Sequence, residues 1–268
     1  MKIIISPTKT MKSKDEGPGV LSRPLFLDET EKLMKILKGM DYDQLKKLWQ
    51  CSDKLAQENF ERIENMDLGR NLSPAILTYE GLVFKYMAPS VFTDKMWNYA
   101  NEHLRILSGF YGVVRPLDGI TPYRLEMQAE LENQRGKNLY EFWGDRLYRA
   151  IAEDQSANGD GKPLTIINLA SEEYYKCIEK YLGPEDRFIT IVFGEYKKNK
   201  AGEFVLDKNG QKKIITKATP AKVARGEMVR FMAEHQIEDV EEIKSFVSGG
   251  FACREDLCDE NTIVFLQE

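Results

Sequence analysis

The chain has 268 residues, 42% of them apolar, with 38 Lys and Arg set against 43 Asp and Glu for a formal charge of −5. This is the composition of an ordinary globular protein with enough apolar material for one large domain or two small ones. The negative balance excludes a global basic signature, so any nucleic-acid contact has to come from local patches of charge.

No apolar run approaches the roughly 20 residues of a membrane span. The amino terminus, MKIIISPTKT, has too short an apolar segment for a signal peptide. The expectation is a cytoplasmic protein without membrane attachment. Cys51, Cys177, Cys253 and Cys258 are scattered, and only His103 and His235 accompany them. No common zinc spacing results, so free thiols and no bound metal or cofactor are expected.

In chain order, Lys2 to Ile5 is a β-branched run that reads as a buried strand, ending in Ser6-Pro7-Thr8-Lys9-Thr10. Three hydroxyls and the Lys9 cation after an interior strand could hold an anion or could form a plain turn. Lys12 to Pro24 reads as a long mobile loop. Asp28 with Glu31 resembles a capping box for a helix through Lys38, closed by Gly39; Asp41 opens another through Trp49, and Ser52 a third from Asp53 to Asn65. Ala75 to Tyr79 and Leu82 to Met87 read as a strand followed by a helical turn.

Thr93 caps a helix predicted from Asp94 to Leu107, which Gly109 closes. Gly112 permits a second positive-φ turn or a close approach of backbone, and Pro116 disfavours helix at Arg115. Helix, G-x-x-G turn (Gly109 to Gly112, with Tyr111 inside it) and arginine give a helix-hairpin-helix-like outline. Its turn amides could face a phosphate while Arg115 and Arg124 add charge. The alternative is a tight interhelical turn packed by Phe110 and Tyr111, since G-x-x-G alone is a weak signal.

Asn138 with Glu141 opens a helix to about Ala152, and residues 153–163, EDQSANGDGKP, read as a loop that could separate two lobes. Leu164 to Leu169 and Arg187 to Phe193 read as central strands; the first ends in Asn168, Ala170 and Ser171. Phe204 to Leu206 and Lys213 to Thr216 bracket an Asp-Lys-Asn-Gly hairpin turn. Thr219-Pro220 opens a helix on which Ala224, Met228 and Phe231 share the core face. Lys222, Gly226 and Val229 lie opposite, with Arg225 at the border. A glycine inside a helix costs about 1 kcal/mol against alanine, so Gly226 implies close approach of backbone, ligand or another helix. From Lys197 to Arg230 there are ten Lys and Arg against three acids, whereas Met232 to Glu268 carries ten acids against two basic residues. That asymmetry points to a basic face or to a charged hairpin.

Taken together, several blocks resemble the YaaA family of bacterial peroxide-stress proteins. They are Ile5 to Thr10, Ser52 to Ala56, Leu107 to Asp118, Pro122 to Met127, Phe142 to Asp145 and Ile167 to Ser171, continued by Lys222, Ala224, Arg225 and Gly226. The resemblance implies an α+β fold spanning residues 1–268, a compact mixed sheet with surrounding helices and an unusual, family-specific topology. It also implies a helix-hairpin-helix element, a positively charged cleft that binds duplex or branched DNA, and a role in surviving hydrogen peroxide linked to lower iron damage. The sequence departs from the pattern in carrying Thr8, where many relatives have alanine, and in its longer lysine-rich hairpin near Lys197 to Lys213.

Three functions are compatible with these residues, the third being iron or thiol chemistry at Cys253 and Cys258, which lie outside the resembling blocks. In the leading one, Gly109 to Gly112, including Tyr111, meet one DNA strand, while Lys9, Arg115, Arg124, Lys222 and Arg225 neutralise phosphates without a base-reading element. The alternative is an enzyme acting on a nucleotide or damaged base in the same cleft. Its candidates are the polar groups at element ends: Ser6, Lys9, Ser108, Tyr111, Tyr123, Arg124, Glu126, Asn168 and Ser171, with Glu126 as general acid or base. Oligomeric state has no signature in the sequence.

Overall fold

Ile3, Ile4 and Ile5 are completely buried, the pattern of a strand covered on both faces. In the computed structural model, which describes residues 1–14, 17–156 and 163–267, these isoleucines belong to β1 (Lys2–Ile5) at the centre of an eight-stranded sheet. The other strands are β2 (Leu104–Ser108), β3 (Gly112–Val114), β4 (Thr165–Asn168), β5 (Arg187–Tyr196), β6 (Ile214–Ile215), β7 (Phe251–Cys253) and β8 (Thr262–Gln267). The sheet runs β7-β8-β5-β4-β1-β2-β3, with β6 paired to β5. Five neighbours, β8, β5, β4, β1 and β2, are parallel; β3, β6 and β7 join antiparallel.

The expected α+β class, a mixed sheet with helices around it, is what the chain forms. Its helices include α1 (Leu27–Lys38), α2 (Tyr42–Trp49), α3 (Asp53–Glu64), α4 (Leu82–Met87), α5 (Asp94–His103), α6 (Arg146–Ser156), α7 (Glu172–Glu179) and α8 (Ala218–His235). Strands on both sides of the expected 153–163 loop pair in this one sheet, since β4 lies against β1 with Ile3 opposite Ile167. Helix α6 carries on to Ser156, four residues into that stretch, and residues 157–162 lie outside the described residues.

The order of strands creates a switch point. After β1 the chain builds β2 on one flank, then returns to place β4 on the other, so the direction of winding reverses at β1. In open sheets with parallel strands, such a reversal parts the loops leaving the carboxyl ends and opens a crevice between them. Here those loops begin at Ser6 and Leu169.

Several local expectations are corrected. The helix predicted to reach Leu107 stops at His103, because Leu104, Ile106 and Leu107 are needed as fully buried strand residues beside β1. Leu104 to Val114 is therefore a strand, a tight turn and an antiparallel strand, with Ser108 opposite Gly112. The helix-hairpin-helix outline does not describe this segment. Ala75–Thr78 is a helical turn and Tyr79–Glu80 a short strand paired with Thr10–Met11. Helix α8 starts at Ala218, one residue before the predicted cap. Gly144, at φ +54°, divides the helix expected from Asn138 to Ala152 into Leu139–Trp143 and α6. The caps at Asp41 and Thr93 are as predicted, each accepting from the backbone N–H three residues on.

Candidate functional site at the carboxyl ends of the central strands

Ser6 leaves the end of β1 and Ser171 the end of β4, and the two meet. The Ser171 backbone N–H donates to Ser6 Oγ at 2.8 Å, and the two hydroxyls lie 3.1 Å apart. Asn168 holds the second loop in place: its Oδ1 accepts from the Ala170 N–H at 2.9 Å and its amide donates to Thr190 at 3.3 Å. Ser171 is then the residue from which α7 begins. The expected polar groups at strand ends thus come from a single structural cause, the parting of loops at the switch point.

These loops line a cavity of about 350 Å³. Lys9, Arg124, Lys222 and Arg225, predicted from three separate stretches of sequence, all line it. So do Glu126, Glu173, Tyr123 and Tyr174. Lys9 Nζ lies 2.6 Å from Glu126 Oε2 and Arg124 Nη2 3.3 Å from Glu126 Oε1, so this carboxylate sits between two cations. Arg124 is only 8% exposed, and its Nε has no hydrogen-bond partner. Arg225 likewise keeps a buried Nε without a partner. Burial lowers the pKa of the Arg225 guanidinium, against a raising effect of Tyr175. Among the described residues, neither Lys222 nor Arg225 forms an ion pair with a carboxylate.

Glu173 is the acid whose state the site alters most clearly. Burial pushes its carboxyl above the ordinary value, with Glu126 adding to the rise and the Gln128 N–H, at 3.3 Å, opposing it. Sequence patterning singled out Glu126 and missed Glu173, the second residue of α7. A second depression, of about 630 Å³, shares Lys9 and Glu126 with the first and passes over Gln44, Lys47 and Gln50.

The central hairpin supports this site from beneath. Ser108 Oγ accepts from the N–H groups of Phe110 and Tyr111, at 3.2 and 2.8 Å, so those amides are satisfied inside the protein. Phe110 is completely buried and Tyr111 1% exposed. A Cβ at Gly109 would come within 2.7 Å of the Leu125 carbonyl, and Gly112, at φ +78°, lies against Trp143 and Leu147. These glycines serve close packing rather than an open phosphate-facing turn. Ser108, Tyr123 and Tyr79 form a buried chain of hydroxyls, with O–O separations of 2.6 and 2.9 Å. Tyr123 connects that chain to the cavity wall, and burial raises its pKa to about 12.

Arg115 does not join the others. Its guanidinium donates to Asp154 at 2.6 Å and lines a different, smaller cavity of about 180 Å³ with Arg105 and Asp118. Lys2 at the start of β1 also reaches Asp154 at 2.6 Å, so this cluster marks the amino ends of the strands, opposite the switch-point site. The four cysteines are free thiols, as expected. Among the described residues no helix is long and apolar enough to cross a membrane.

Comparison with known proteins gives a consistent picture. The family model described as peroxide stress protein YaaA matches residues 1–257. A UPF0246 protein of Agathobacter rectalis is 48% identical over 265 residues, covering 99% of this chain and 98% of the relative. A UPF0246 protein of Lachnoclostridium phytofermentans is 47% identical, covering 100% of this chain and 96% of the relative. One from Lactiplantibacillus plantarum is 47% identical over the full length of both.

Proposed function

We propose that this chain, which belongs to the peroxide stress protein YaaA family, acts in the response to peroxide by binding DNA across the switch-point face. Lys9, Arg124, Lys222 and Arg225 receive the phosphates. The observation that carries this reading is the pair of guanidinium groups, Arg124 and Arg225, each with a buried unpartnered Nε in one cavity. A buried donor without an acceptor costs about 1 to 3 kcal/mol, and the other N–H groups of the same guanidinium can make charge-assisted hydrogen bonds to a phosphate at the cavity. Affinity then comes from backbone charge and tolerates sequence.

Titration of duplex and branched DNA at several salt concentrations tests it. Each neutralised phosphate contributes about −0.9 to the slope of log K against log salt, so Arg225→Ala and Lys222→Ala each flatten the slope by about one. A slope near zero for the unaltered protein, or unchanged slopes in both variants, refutes the proposal.

The size of the cavity and the raised carboxyl of Glu173 favour a second reading, an enzyme acting on a nucleotide or damaged base. A volume of about 350 Å³ is that of a small-molecule site, and a raised pKa suits a carboxyl to proton transfer. Glu173 takes the role assigned to Glu126, which is engaged by Lys9 and Arg124. Glu173→Gln separates the readings: full DNA affinity with lost protection against peroxide favours the enzyme, and intact protection argues against it.

A further inference from the structure

Away from the cavity, Cys253 closes the edge strand β7 and Cys258 follows the short Glu255–Leu257 helical turn. Their sulfurs are 3.8 Å apart, and both residues are partly accessible. Five positions separate them in sequence, and the turn folds back to bring them into contact. This is a built arrangement, because Cys258 Sγ is held from two sides. It accepts from the Val264 N–H at 3.3 Å, on β8, and lies 3.3 Å from the Arg254 carbonyl.

We propose that Cys253 and Cys258 are a peroxide-oxidised thiol pair that closes reversibly to an intramolecular disulfide. The Cys258 thiolate attacks hydrogen peroxide, breaking the O–O bond; one oxygen stays on sulfur as sulfenic acid and the other leaves as hydroxide. Cys253 sulfur then attacks the Cys258 sulfur, the S–O bond breaks, the hydroxyl departs with the Cys253 proton as water, and the S–S bond forms. Both sulfurs are oxidised by one equivalent each, and one peroxide is reduced to two waters overall. The order of roles follows from the surroundings. The Val264 N–H points at Cys258 Sγ, whereas burial and the neighbouring Cys258 sulfur push the Cys253 thiol up to about 12. Glu255 places negative charge beside Cys253, and Lys244 places a positive charge that opposes it.

The test is intact mass and peptide mapping of the full chain after exposure to excess hydrogen peroxide. Closure appears as a loss of about 2 Da with a peptide linking Cys253 and Cys258, both reversed by dithiothreitol. In Cys253→Ser the loss of mass disappears and Cys258 gains about 32 Da as sulfinic acid, because no resolving thiol is present. Reduced thiols at both positions after treatment overturn the proposal. So does sulfinic acid at Cys258 in the unaltered chain, or a link that forms only between molecules.

Discussion

Arg115 donates to Asp154 at 2.6 Å, and this single contact removes Arg115 from the face where the other predicted cations gather. Asp154 is also bonded to Lys2 and Arg105, two cations only 2 and 3% exposed. Burial acts to raise the Asp154 pKa, but the hydrogen bond from Lys2 and the charge of Arg105 outweigh it and hold the carboxyl below the ordinary 3.8. Asp154→Ala strands both cations in the interior, and a denaturant titration is expected to register a loss of about 3 to 5 kcal/mol. Since the folded-state pKa is depressed, the stabilisation is complete above the unfolded value and disappears as pH falls from there through the folded value. The variant therefore loses the acid-dependent part of the curve below about pH 4. A variant as stable as the parent at neutral pH contradicts this account of the cluster.

Which parts of this arrangement could be read in the sequence follows from their physics. Ile3 to Ile5 and Ile166 to Ile167 announce strands covered on both faces, because only such strands need an unbroken apolar run. The polar loops after them were visible for the same reason. Leu104 to Ser108 was not, since its apolar residues continue the α5 pattern without a break, and the strand is chosen by pairing with β1, a contact 101 residues away in sequence. Lys222 and Gly226 were placed opposite the core face of α8, yet Gly226 and Val229 are buried. Helix α4 covers that side, so α8 is packed on two faces and its periodicity understates its burial. Glu173 gains its raised pKa from neighbours brought by folding, a property no local pattern carries.

Gly226 settles the purpose of its own position. A Cβ there would lie 2.2 Å from the Val83 carbonyl oxygen and 2.9 Å from the Met87 nitrogen, both backbone atoms of α4. Neither can move away without displacing the helix. Gly226→Ala is expected to destabilise the protein by about 1 to 3 kcal/mol despite the better helix propensity of alanine. Thermal melts check it, and a rise in melting temperature would contradict the packing described here.

Ligand affinity should depend on pH through Glu173. Burial holds its carboxyl above the usual 4.5, so the neutral form persists into a range where exposed acids are ionised. As pH rises through that raised value, a negative charge appears beside Lys9 and Glu126, and an anionic ligand is repelled. DNA affinity at fixed ionic strength therefore falls across this window in the parent and stays level in Glu173→Gln. Identical pH profiles for the two proteins would sink the assignment.

The sequence leaves the lysine-rich hairpin either as part of a basic face or as a charged hairpin, and its contacts argue for self-containment. Lys212 Nζ lies 4.2 Å from the centre of the Phe204 ring and 5.2 Å from that of Tyr196, and Lys198 Nζ is 5.2 Å from Phe204. Backbone bonds between Lys197 and Lys213 and between Val205 and Lys197 zip the same hairpin closed. These lysines hold their aliphatic stems along exposed aromatic surface, where cation–π attraction contributes about 0.5 to 1 kcal/mol each. Neither depression that contains Lys9 includes any of them. Replacing Lys198 and Lys212 together by Gln should leave the salt slope of DNA binding within experimental error of the parent, while Arg225→Ala flattens it. A slope that drops by two in the hairpin variant would instead place the DNA across the hairpin, since each lost phosphate contact lowers the slope by about one.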